Sequence, residues 1–427
     1  MSKKELGVYI HIPFCKRKCY YCDFISYPNK IELAKKYIDC VKKEIDQFDF
    51  SNYNITTIYI GGGTPSYINE VYIKELLEKL IKKLENNENN LESNKNNLKY
   101  NENNLKSNRN NLEYSKNTLE NLEITIEVNP GTVTKEKLEL YKKCGVNRLS
   151  IGLQSAQNRL LKEIGRIHTL EEFLETYKMA KEVGFDNINV DLMIGLPNQT
   201  IQDIKESLEQ LIKLDPTHIS VYSLIVEEGT AIEKKIEEGS LKLPEEELER
   251  RMYWYVKNYL ELHRYNQYEI SNFAKKGYES KHNLNCWNQE EYIGFGIAAH
   301  SYIKNIRFGN TENLEKYIEN IEAKKTELNK NIEEKQTKED QKKEFMMLGF
   351  RKIQGVNIAK FKEKFTDNPL FLYNKQLNKL SEEGLIEVDL NFIRLTSKGL
   401  DLANLVFEEF VWEKNRLNKN RMQLKWK

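Results

Sequence analysis

The chain has 427 residues, which is enough for more than one domain and for a sizeable buried core. Its 66 Lys and Arg residues nearly balance 65 Asp and Glu residues, so the overall electrostatic potential does not favour binding to nucleic acid or to an anionic membrane surface. The opening residues MSKKELGVYIHI lack the apolar run of a signal peptide, and no stretch approaches the roughly 20 apolar residues of a membrane span. We therefore expect a cytoplasmic protein with no nucleic-acid partner.

Three of the six cysteines lie in one short stretch, HIPFCKRKCYYCDF, as Cys15, Cys19 and Cys22. In a reducing compartment the spacing CxxxCxxC indicates metal ligands rather than disulfides. Three thiolates on one loop can hold three irons of a [4Fe–4S] cluster and leave the fourth iron open. The adjacent lysines and Arg17 are expected to stabilise the thiolates. A zinc site is the alternative, but it needs a fourth ligand, and Cys40 lies in a helical pattern.

Apolar, β-branched runs alternate with amphipathic runs through most of the chain. The strand-like runs are residues 6–12, 56–60, 124–128, 148–152, 187–193 and 218–224. Helix-period segments such as KKYIDCVKKEIDQF and LEEFLETYKMAKEVGF lie between most of them, which predicts βαβ units and a parallel sheet. We predict an α/β fold, an open partial (β/α)6 TIM-like barrel over residues 1–303, with its site at the C-terminal strand ends.

An asparagine-rich segment, residues 84–120, interrupts this pattern. Leucines recur at every seventh position from Leu84 to Leu119, in units such as NNLESNK and NNLKSNR. A coiled coil needs two apolar positions per heptad, and here the second holds polar residues. Asparagine also disfavours helix. We interpret the segment as a low-complexity insertion into the barrel domain, with a weak helical hairpin as the alternative.

The amino-acid composition changes again after the barrel. Residues 304–342 are dominated by Lys, Glu and Asn, and we predict a charged helical linker there. Residues 343–427 contain three helical patterns followed by two short strand patterns around Asp389 and Asn391, which resembles a winged-helix unit. Acids balance bases in its recognition-like stretch, so a small packing or docking domain is favoured over a nucleic-acid binder.

Several polar or glycine-rich motifs follow the predicted strands. In IYIGGGTPS, glycines at a strand end let backbone amides approach a ligand closely. TIEVNPG carries Glu127 at the end of an apolar strand, where an acid is costly unless it binds something or forms a salt bridge. GRIH and INVDLMIGLP carry Arg166 and Asp191, and a buried ion pair between these two side chains is the structural alternative to ligand binding.

The stretch YIHIPFCKRKCYYCDF, with an aromatic residue before its third cysteine, resembles the radical S-adenosylmethionine (SAM) superfamily, and within it the HemN/HemW branch of coproporphyrinogen-III-oxidase-like proteins. The resemblance covers most of the chain outside residues 84–120. It implies that the open iron binds the amino and carboxylate groups of SAM, which one electron cleaves to methionine and a 5′-deoxyadenosyl radical. The SAM-binding residues that it implies are Tyr9, Tyr21, Gly62, Gly63, Thr64, Glu127, Gln154, Arg166, Asp191 and the backbone near Ile225.

This branch contains two kinds of function. Its anaerobic oxidases carry CxxxCxxCxC, whereas this chain has Phe24 at the fourth cysteine position, as in the HemW-type heme chaperones. The stretch HNLNCW resembles the HNxxYW motif of the chaperones, with Cys286 in place of tyrosine. His282 is then a candidate axial ligand for heme iron, and Cys286 is a second candidate. The structural alternative is that His282 and Trp287 cap a helix and pack a domain seam.

The resemblance favours a chaperone that binds heme and transfers it to acceptor hemoproteins such as apo-cytochromes. The alternative is an enzyme, an oxygen-independent coproporphyrinogen III oxidase (coproporphyrinogen dehydrogenase-like) of porphyrin biosynthesis. A third hypothesis is a structural or regulatory iron–sulfur protein, which would not need GGGTPS or Glu127. An electron donor is required if SAM is cleaved, and peripheral association with a membrane is left open.

Overall fold

The structure, a computed structural model, describes residues 3–95 and 121–411. Its strands, in chain order, are β1 (Lys4–Ile12), β2 (Phe14–Cys15), β3 (Tyr27–Pro28), β4 (Tyr53–Gly62), β5 (Glu123–Val128), β6 (Arg148–Gln154), β7 (Asn187–Ile194), β8 (His218–Ser223), β9 (Asn266–Glu269), β10 (Asn272–Ala274), β11 (Glu291–Phe295), β12 (His300–Ile303), β13 (Ile306–Asn310), β14 (Lys330–Lys335), β15 (Val356–Asn357), β16 (Ile386–Val388) and β17 (Phe392–Leu395).

The helices lie mostly between strands. They are α1 (Ala34–Gln47), α2 (Glu70–Lys95), α3 (Lys135–Lys143), α4 (Asn158–Glu163), α5 (Leu170–Val183), α6 (Ile201–Leu214), α7 (Ala231–Glu237), α8 (Glu246–Leu262), α9 (Lys281–Trp287), α10 (Leu314–Glu322), α11 (Lys338–Gly349), α12 (Ile358–Phe365), α13 (Pro369–Leu372), α14 (Asn374–Glu382), α15 (Ser397–Asp401) and α16 (Ala403–Glu408). Within the described ranges, none of them combines the length and the apolar character that crossing a membrane requires.

The six strands predicted from the sequence lie side by side in parallel, in the order β1-β4-β5-β6-β7-β8. The prediction of an α/β fold built on a large parallel sheet is confirmed. The sheet is larger than expected, however, with twelve strands in the order β14-β13-β12-β11-β1-β4-β5-β6-β7-β8-β10-β9. A seventh parallel strand, β11, pairs with β1 on the side away from β4.

The prediction of a helical linker over residues 304–342 is wrong. Strands β13 and β14 in this range pair with each other and, through β12, extend the main sheet. Four of the charged residues, Lys330, Glu333, Glu334 and Lys335, belong to β14, which is an exposed edge strand, and edge strands carry charges that discourage pairing with other chains. The buried face of α10, formed by Leu314, Tyr317, Ile318 and Ile321, packs into the main core.

The local sequence explains why the helices begin and end where they do. Thr169 caps α5 by accepting from the amide of Glu172, whose side chain accepts in turn from the Thr169 amide, and Gly184 ends the helix with φ of 89°. On α1, the buried residues Tyr37, Ile38, Val41 and Ile45 follow the helical period and join the core beneath the sheet. The helices between the strands thereby cover one face of the sheet.

The C-terminal unit has its own apolar core, drawn from residues 345–410. It contains helices α11–α16 and a small antiparallel sheet of order β15-β17-β16, whose strands β16 and β17 flank Asp389 and Asn391. A buried ion pair of 2.6 Å between Arg307 and Glu344 joins it to the barrel sheet. We propose residues 343–427 as the second domain, with its boundary inside α11 (Lys338–Gly349). Of the predicted insertion at residues 84–120, the part after Lys95 lies outside the described residues.

Candidate functional site

The three clustered cysteines lie on the loop that leaves β1 and β2. Cys15 ends β2 and is buried, while Cys19 and Cys22 are half-buried. The Cys22 amide donates to the Cys19 carbonyl at 3.3 Å, which closes a turn. The backbone of Tyr20 is held from two sides, because its amide donates to Ile164 at 3.0 Å and its carbonyl accepts from the Ile232 amide at 2.9 Å. The loop is therefore fixed against segments that follow β6 and β8.

The chemistry of these thiols fits an iron–sulfur cluster. Burial, with a contribution from Cys19, raises the pKa of Cys22 to about 12, and burial also raises the pKa of Cys15. Thiolates at these positions therefore need a bound cation. Three thiols suit a cluster, in which each sulfur takes a different iron, better than a single zinc ion, which takes four ligands.

The cation beside the thiols differs from the one expected. Arg17 donates to the carbonyls of Gly165 and Arg166, at 2.8 and 3.3 Å, and so anchors the loop. It is Arg166 that approaches the sulfurs, with Nη1 3.8 Å from Sγ of Cys19. Lys18 contributes as expected, since its charge opposes the rise in the pKa of Cys22.

The glycine turn after β4 connects the cysteine loop to the sheet. The amides of Gly63 and Thr64 donate to the carbonyls of Ile12 and Phe14, both at 2.9 Å. The Thr64 hydroxyl donates to Sγ of Cys15 at 3.4 Å. A Cβ atom on Gly63 would lie 3.0 Å from that sulfur, so only glycine leaves the room that this contact needs.

Glu127 is a half-buried side chain near the end of β5. Its Oε1 accepts from the Tyr59 hydroxyl at 2.9 Å, and its Oε2 accepts from the Gly62 amide at 3.1 Å. Gly62 has φ of 113°, a conformation that favours glycine. Burial, reinforced by the Asp191 carboxylate, raises the pKa of Glu127 to about 7. The site therefore holds an oriented acid whose charged form is favoured by a bound cation.

Arg166 is bonded to neutral acceptors, not to Asp191. Its Nη2 donates to Oδ1 of Asn129 at 2.9 Å and to the Gly152 carbonyl at 3.0 Å. Asp191 instead accepts from Asn189 at 2.7 Å. The structural alternative of a direct Arg166–Asp191 ion pair is therefore wrong, and the two groups interact only through their longer-range charges.

Gln154 and the predicted aromatic residues surround this region. Gln154 is buried, with φ of 68°, which is uncommon for a residue other than glycine. Tyr9 stacks on Tyr59 at 6.2 Å between ring centroids, and its hydroxyl lies 3.0 Å from Nδ1 of His11. Burial raises the pKa of Tyr21, which lies near Cys19 and Arg166. Ile225 lies in the exposed loop after β8.

Two residues of this site were missed by the sequence analysis. Tyr59 orients Glu127, and its period-two alternation with the core residues Ile58 and Ile60 could have placed it on the inner face of β4. Asn129 bridges the glycine turn and Arg166, because its Nδ2 donates to the Thr64 hydroxyl at 2.9 Å. The Asn-Pro turn signal there gave no indication of this bridging role.

His282 lies on α9 and, like Tyr9, contacts the Tyr59 ring. Its imidazole stacks on the Tyr59 ring at 5.1 Å between centroids, and Nδ1 lies 2.8 Å from the Thr57 hydroxyl. The cap of α9 is Ser280, whose hydroxyl accepts from the Asn283 amide, so His282 is not the helix cap. His282 is buried inside the barrel and reaches the same interior as Glu127.

The other residues of HNLNCW lie toward the C-terminal unit. The guanidinium of Arg351 lies over the Trp287 ring, 4.2 Å from its centroid, so Trp287 does pack the domain seam. Burial raises the pKa of Cys286 to about 11, and the charge of Arg307 partly offsets this rise. Cys286 is therefore a neutral thiol near β13 at neutral pH.

The fold and this site define a class of protein. Residues 9–211 match the Radical SAM superfamily, and residues 336–402 match the HemN C-terminal domain. The chain is a radical SAM protein, and this membership implies a [4Fe–4S] cluster and SAM as its cofactors.

Full-length relatives define the family within this class. Heme chaperone HemW of Bacillus subtilis (strain 168) is 37% identical, over 95% of this chain and 99% of the relative. Heme chaperone HemW of Escherichia coli (strain K12) is 30% identical, over 96% of this chain and 98% of the relative. The chain belongs to the HemW family.

A solved structure supports the fold independently. Coproporphyrinogen III oxidase (HemN) from Escherichia coli superposes with a TM-score of 0.77, covering 96% of this chain and 91% of that one. The identity of 22% is low, so this similarity concerns the fold alone.

Proposed function

We propose that this protein is a heme chaperone, which holds a [4Fe–4S] cluster and SAM, binds heme, and transfers heme to acceptor hemoproteins. The observation that carries the proposal is Phe24, which occupies the position where the oxidases of this branch carry a fourth cysteine. Its ring is 47% exposed on the loop. The names of the full-length relatives support the same function.

The cluster would be held by Cys15, Cys19 and Cys22. When bound, it would supply an open iron to which the amino and carboxylate groups of SAM can bind. Thr64 and Arg166 would stabilise the cluster charge from either side, because one contacts Sγ of Cys15 and the other approaches Sγ of Cys19.

The SAM site would be built from the ends of β4–β8. Glu127 is suited to accept hydrogen bonds from an ammonium or amine, because two donors fix its oxygens and burial disfavours its charge until a cation is near. We assign the other contacts of SAM to the residues that lie around Glu127 and the cysteine loop. These are Tyr9, Tyr21, Gly62, Gly63, Thr64, Gln154, Arg166, Asp191 and the backbone near Ile225.

The heme ligand that we propose is His282. Thr57 binds one ring nitrogen, Nδ1, which leaves Nε2 as the candidate ligand atom. Cys286 is the weaker candidate, because burial keeps its thiol protonated at neutral pH. Apo-cytochromes are the acceptor class that we expect, and an electron donor is needed only if transfer involves SAM cleavage.

The test uses full-length protein with its cluster reconstituted anaerobically. Heme and coproporphyrinogen III are supplied separately in the presence of SAM and a reductant. We expect heme to remain with the protein through gel filtration and coproporphyrinogen III to be recovered unchanged. Conversion to protoporphyrinogen IX would establish the oxidase alternative, and loss of heme on the column would contradict the chaperone proposal.

A further inference from the structure

The inner face of the barrel sheet is polar along its whole depth. On β6 the residues Leu149, Ile151 and Leu153 point into the apolar core with the helices, so the alternate residues occupy the opposite face. Packed barrels of this kind fill their interior with Val, Ile and Leu. Here the residues that alternate with the core positions are Thr57, Tyr59, Glu123, Thr125, Glu127, Arg148, Ser150, Asn189, Asp191, His218, Ser220 and Tyr222.

Hydrogen bonds between strands confirm that these side chains share one face. Asn189 donates to Ser150 at 2.8 Å, and its Oδ1 lies 2.6 Å from Nδ1 of His218. The other nitrogen of His218 lies 2.9 Å from the Tyr268 hydroxyl. These polar groups are bonded to one another, so the interior is an ordered polar surface, and such a surface suits a ligand.

Arg148 differs from these groups because it has no hydrogen-bond partner, and the hydroxyl of Thr125, its neighbour on β5, also has none. Arg148 lies at the start of β6, is 2% exposed, and forms no hydrogen bond or ion pair with any described residue. Its Nε is fully buried and unbonded. A guanidinium stays charged at all ordinary pH values, and a buried charge without a partner costs several kcal/mol. The guanidinium therefore has no hydrogen-bonded counterion, although its charge acts on the Asp191 carboxylate at longer range.

Two acids of the inner face, Glu123 and Asp191, have hydrogen-bond donors of their own. The two carboxylate oxygens of Glu123 accept from the amides of Lys281 and His282, at 3.0 and 3.1 Å. Asp191 accepts from Asn189, and the charge of Arg148 acts on it only at longer range. Neither acid forms a hydrogen bond with Arg148, so its donors are open to a ligand anion.

The surrounding imidazoles add no positive charge. Burial, followed by repulsion from Arg148, lowers the pKa of His282 to about 4 and lowers that of His218 well below its usual value. Both side chains are neutral at pH 7. Arg148 is therefore a permanently charged group close enough to His282 and Tyr59 to lower the pKa of both side chains.

We propose that Arg148 binds a ligand carboxylate inside the barrel, and that in this chaperone the carboxylate is a heme propionate held beside His282. The proposal rests on the proposed heme function. A planar guanidinium with its donors unused matches a carboxylate in a bidentate fork. SAM also carries a carboxylate, so the test separates the two sources.

The experiment compares heme with heme dimethyl ester, whose propionates are neutral. Binding to the full-length, cluster-loaded protein is followed by heme absorbance, in the parent, in Arg148→Met and in Arg148→Lys. We expect the parent to prefer heme by about 10-fold or more, since a charge-assisted bond is worth about 1.5–3 kcal/mol. Arg148→Met should bind both compounds equally, and Arg148→Lys should keep part of the preference. SAM affinity should change by less than about 2-fold.

Controls make the outcomes distinct. Arg159→Met removes an exposed arginine that pairs with Asp203, and it should keep the parent preference. Equal binding of heme and its ester by the parent, or a preference that survives in Arg148→Met, would overturn the role of Arg148 and leave the heme function standing. Selective loss of SAM binding in Arg148→Met would assign the site to SAM instead. Failure of the parent to bind either compound would overturn the heme function itself.

Stability provides a second readout. Removing an unpaired buried charge should leave the melting temperature of Arg148→Met unchanged or raise it. A large drop would show that Arg148 supports the fold, and would contradict a binding role. Should Arg148→Met not fold at all, the ester comparison in the parent still decides whether the propionates are recognised.

Discussion

The Tyr59 hydroxyl donates a 2.9 Å hydrogen bond to Oε1 of Glu127, while the Tyr59 ring lies between Tyr9 and His282. One side chain therefore touches both the proposed SAM site and the proposed heme ligand. We expect Tyr59→Phe to keep the stacking and to weaken SAM binding by about 10-fold, the value of one such hydrogen bond. Equilibrium binding of SAM to cluster-loaded protein measures this, and an unchanged affinity would contradict the role given to Tyr59.

Glu127→Gln should change the pH dependence of stability. The pKa of Glu127 is about 7 in the folded chain and 4.5 in the unfolded chain, so the folded state holds the proton more tightly. The contribution of Glu127 to stability is therefore fully present below pH 4.5 and is lost as the pH rises through 7. Between pH 5 and pH 8 the unfolding free energy should fall by about 2 kcal/mol more in the parent than in Glu127→Gln.

Denaturant unfolding of the metal-free chain at the two pH values measures this difference. Glu334 is a matched control, because burial also raises its pKa to about 7, and it lies on the far edge strand β14. Glu334→Gln should reproduce the stability effect without weakening SAM binding, whereas Glu127→Gln should show both. A Glu127→Gln protein with parental SAM affinity would count against the SAM assignment.

Cys15→Ala should abolish cluster assembly. Its sulfur is one of three proposed ligands, and the same substitution at Cys144, a buried thiol at the end of α3, should have no such effect. Iron and acid-labile sulfide per chain after anaerobic reconstitution provide the measurement. Parental iron content in Cys15→Ala would remove the basis of the cluster assignment.

Gly63→Ala should lower cluster occupancy for a steric reason. The new Cβ would lie 3.0 Å from Sγ of Cys15 and from two backbone carbonyl oxygens, which overpacks the loop at a cost of about 1–3 kcal/mol. Gly229→Ala is the contrasting variant, because its Cβ meets nothing within 4 Å although φ is 81°. It should lose stability through backbone strain and keep its iron. Equal iron loss in both variants would show that general destabilisation is responsible.

Acid should destabilise the protein through buried neutral histidines. The pKa of His11 is lowered by burial to about 4, and its neutral form bonds both Tyr9 and the Ile25 carbonyl. The unfolded chain, with a pKa of 6.5, binds the proton first. Stability is thus fully present above pH 6.5 and is lost as the pH falls toward 4, by about 3 kcal/mol for this group. In His11→Gln this loss should be smaller, whereas His263→Gln, at the end of α8, should behave as the parent does.

Much of the fold could be predicted because its signals are local. The alternation of buried strands with amphipathic helices placed six parallel strands correctly, since each pattern fits within one element. Strand β11 was missed because EYIGF is short and runs into a glycine-rich turn. The charged composition of residues 304–342 hid two strands, because an exposed edge strand and a solvated linker favour the same residues.

The sequence by itself determined which atoms are available: three thiols at fixed spacing, an acid at a strand end, and a phenylalanine where a fourth cysteine would stand. Tertiary structure decided which cation meets which anion. Arg166 approaches Cys19 across 147 residues of chain, while Arg17, two residues away from it, turns to a backbone carbonyl. The same closure left Arg148 without a hydrogen-bonded acid. Such pairings depend on how strands align in space, and no local period along the chain encodes that alignment.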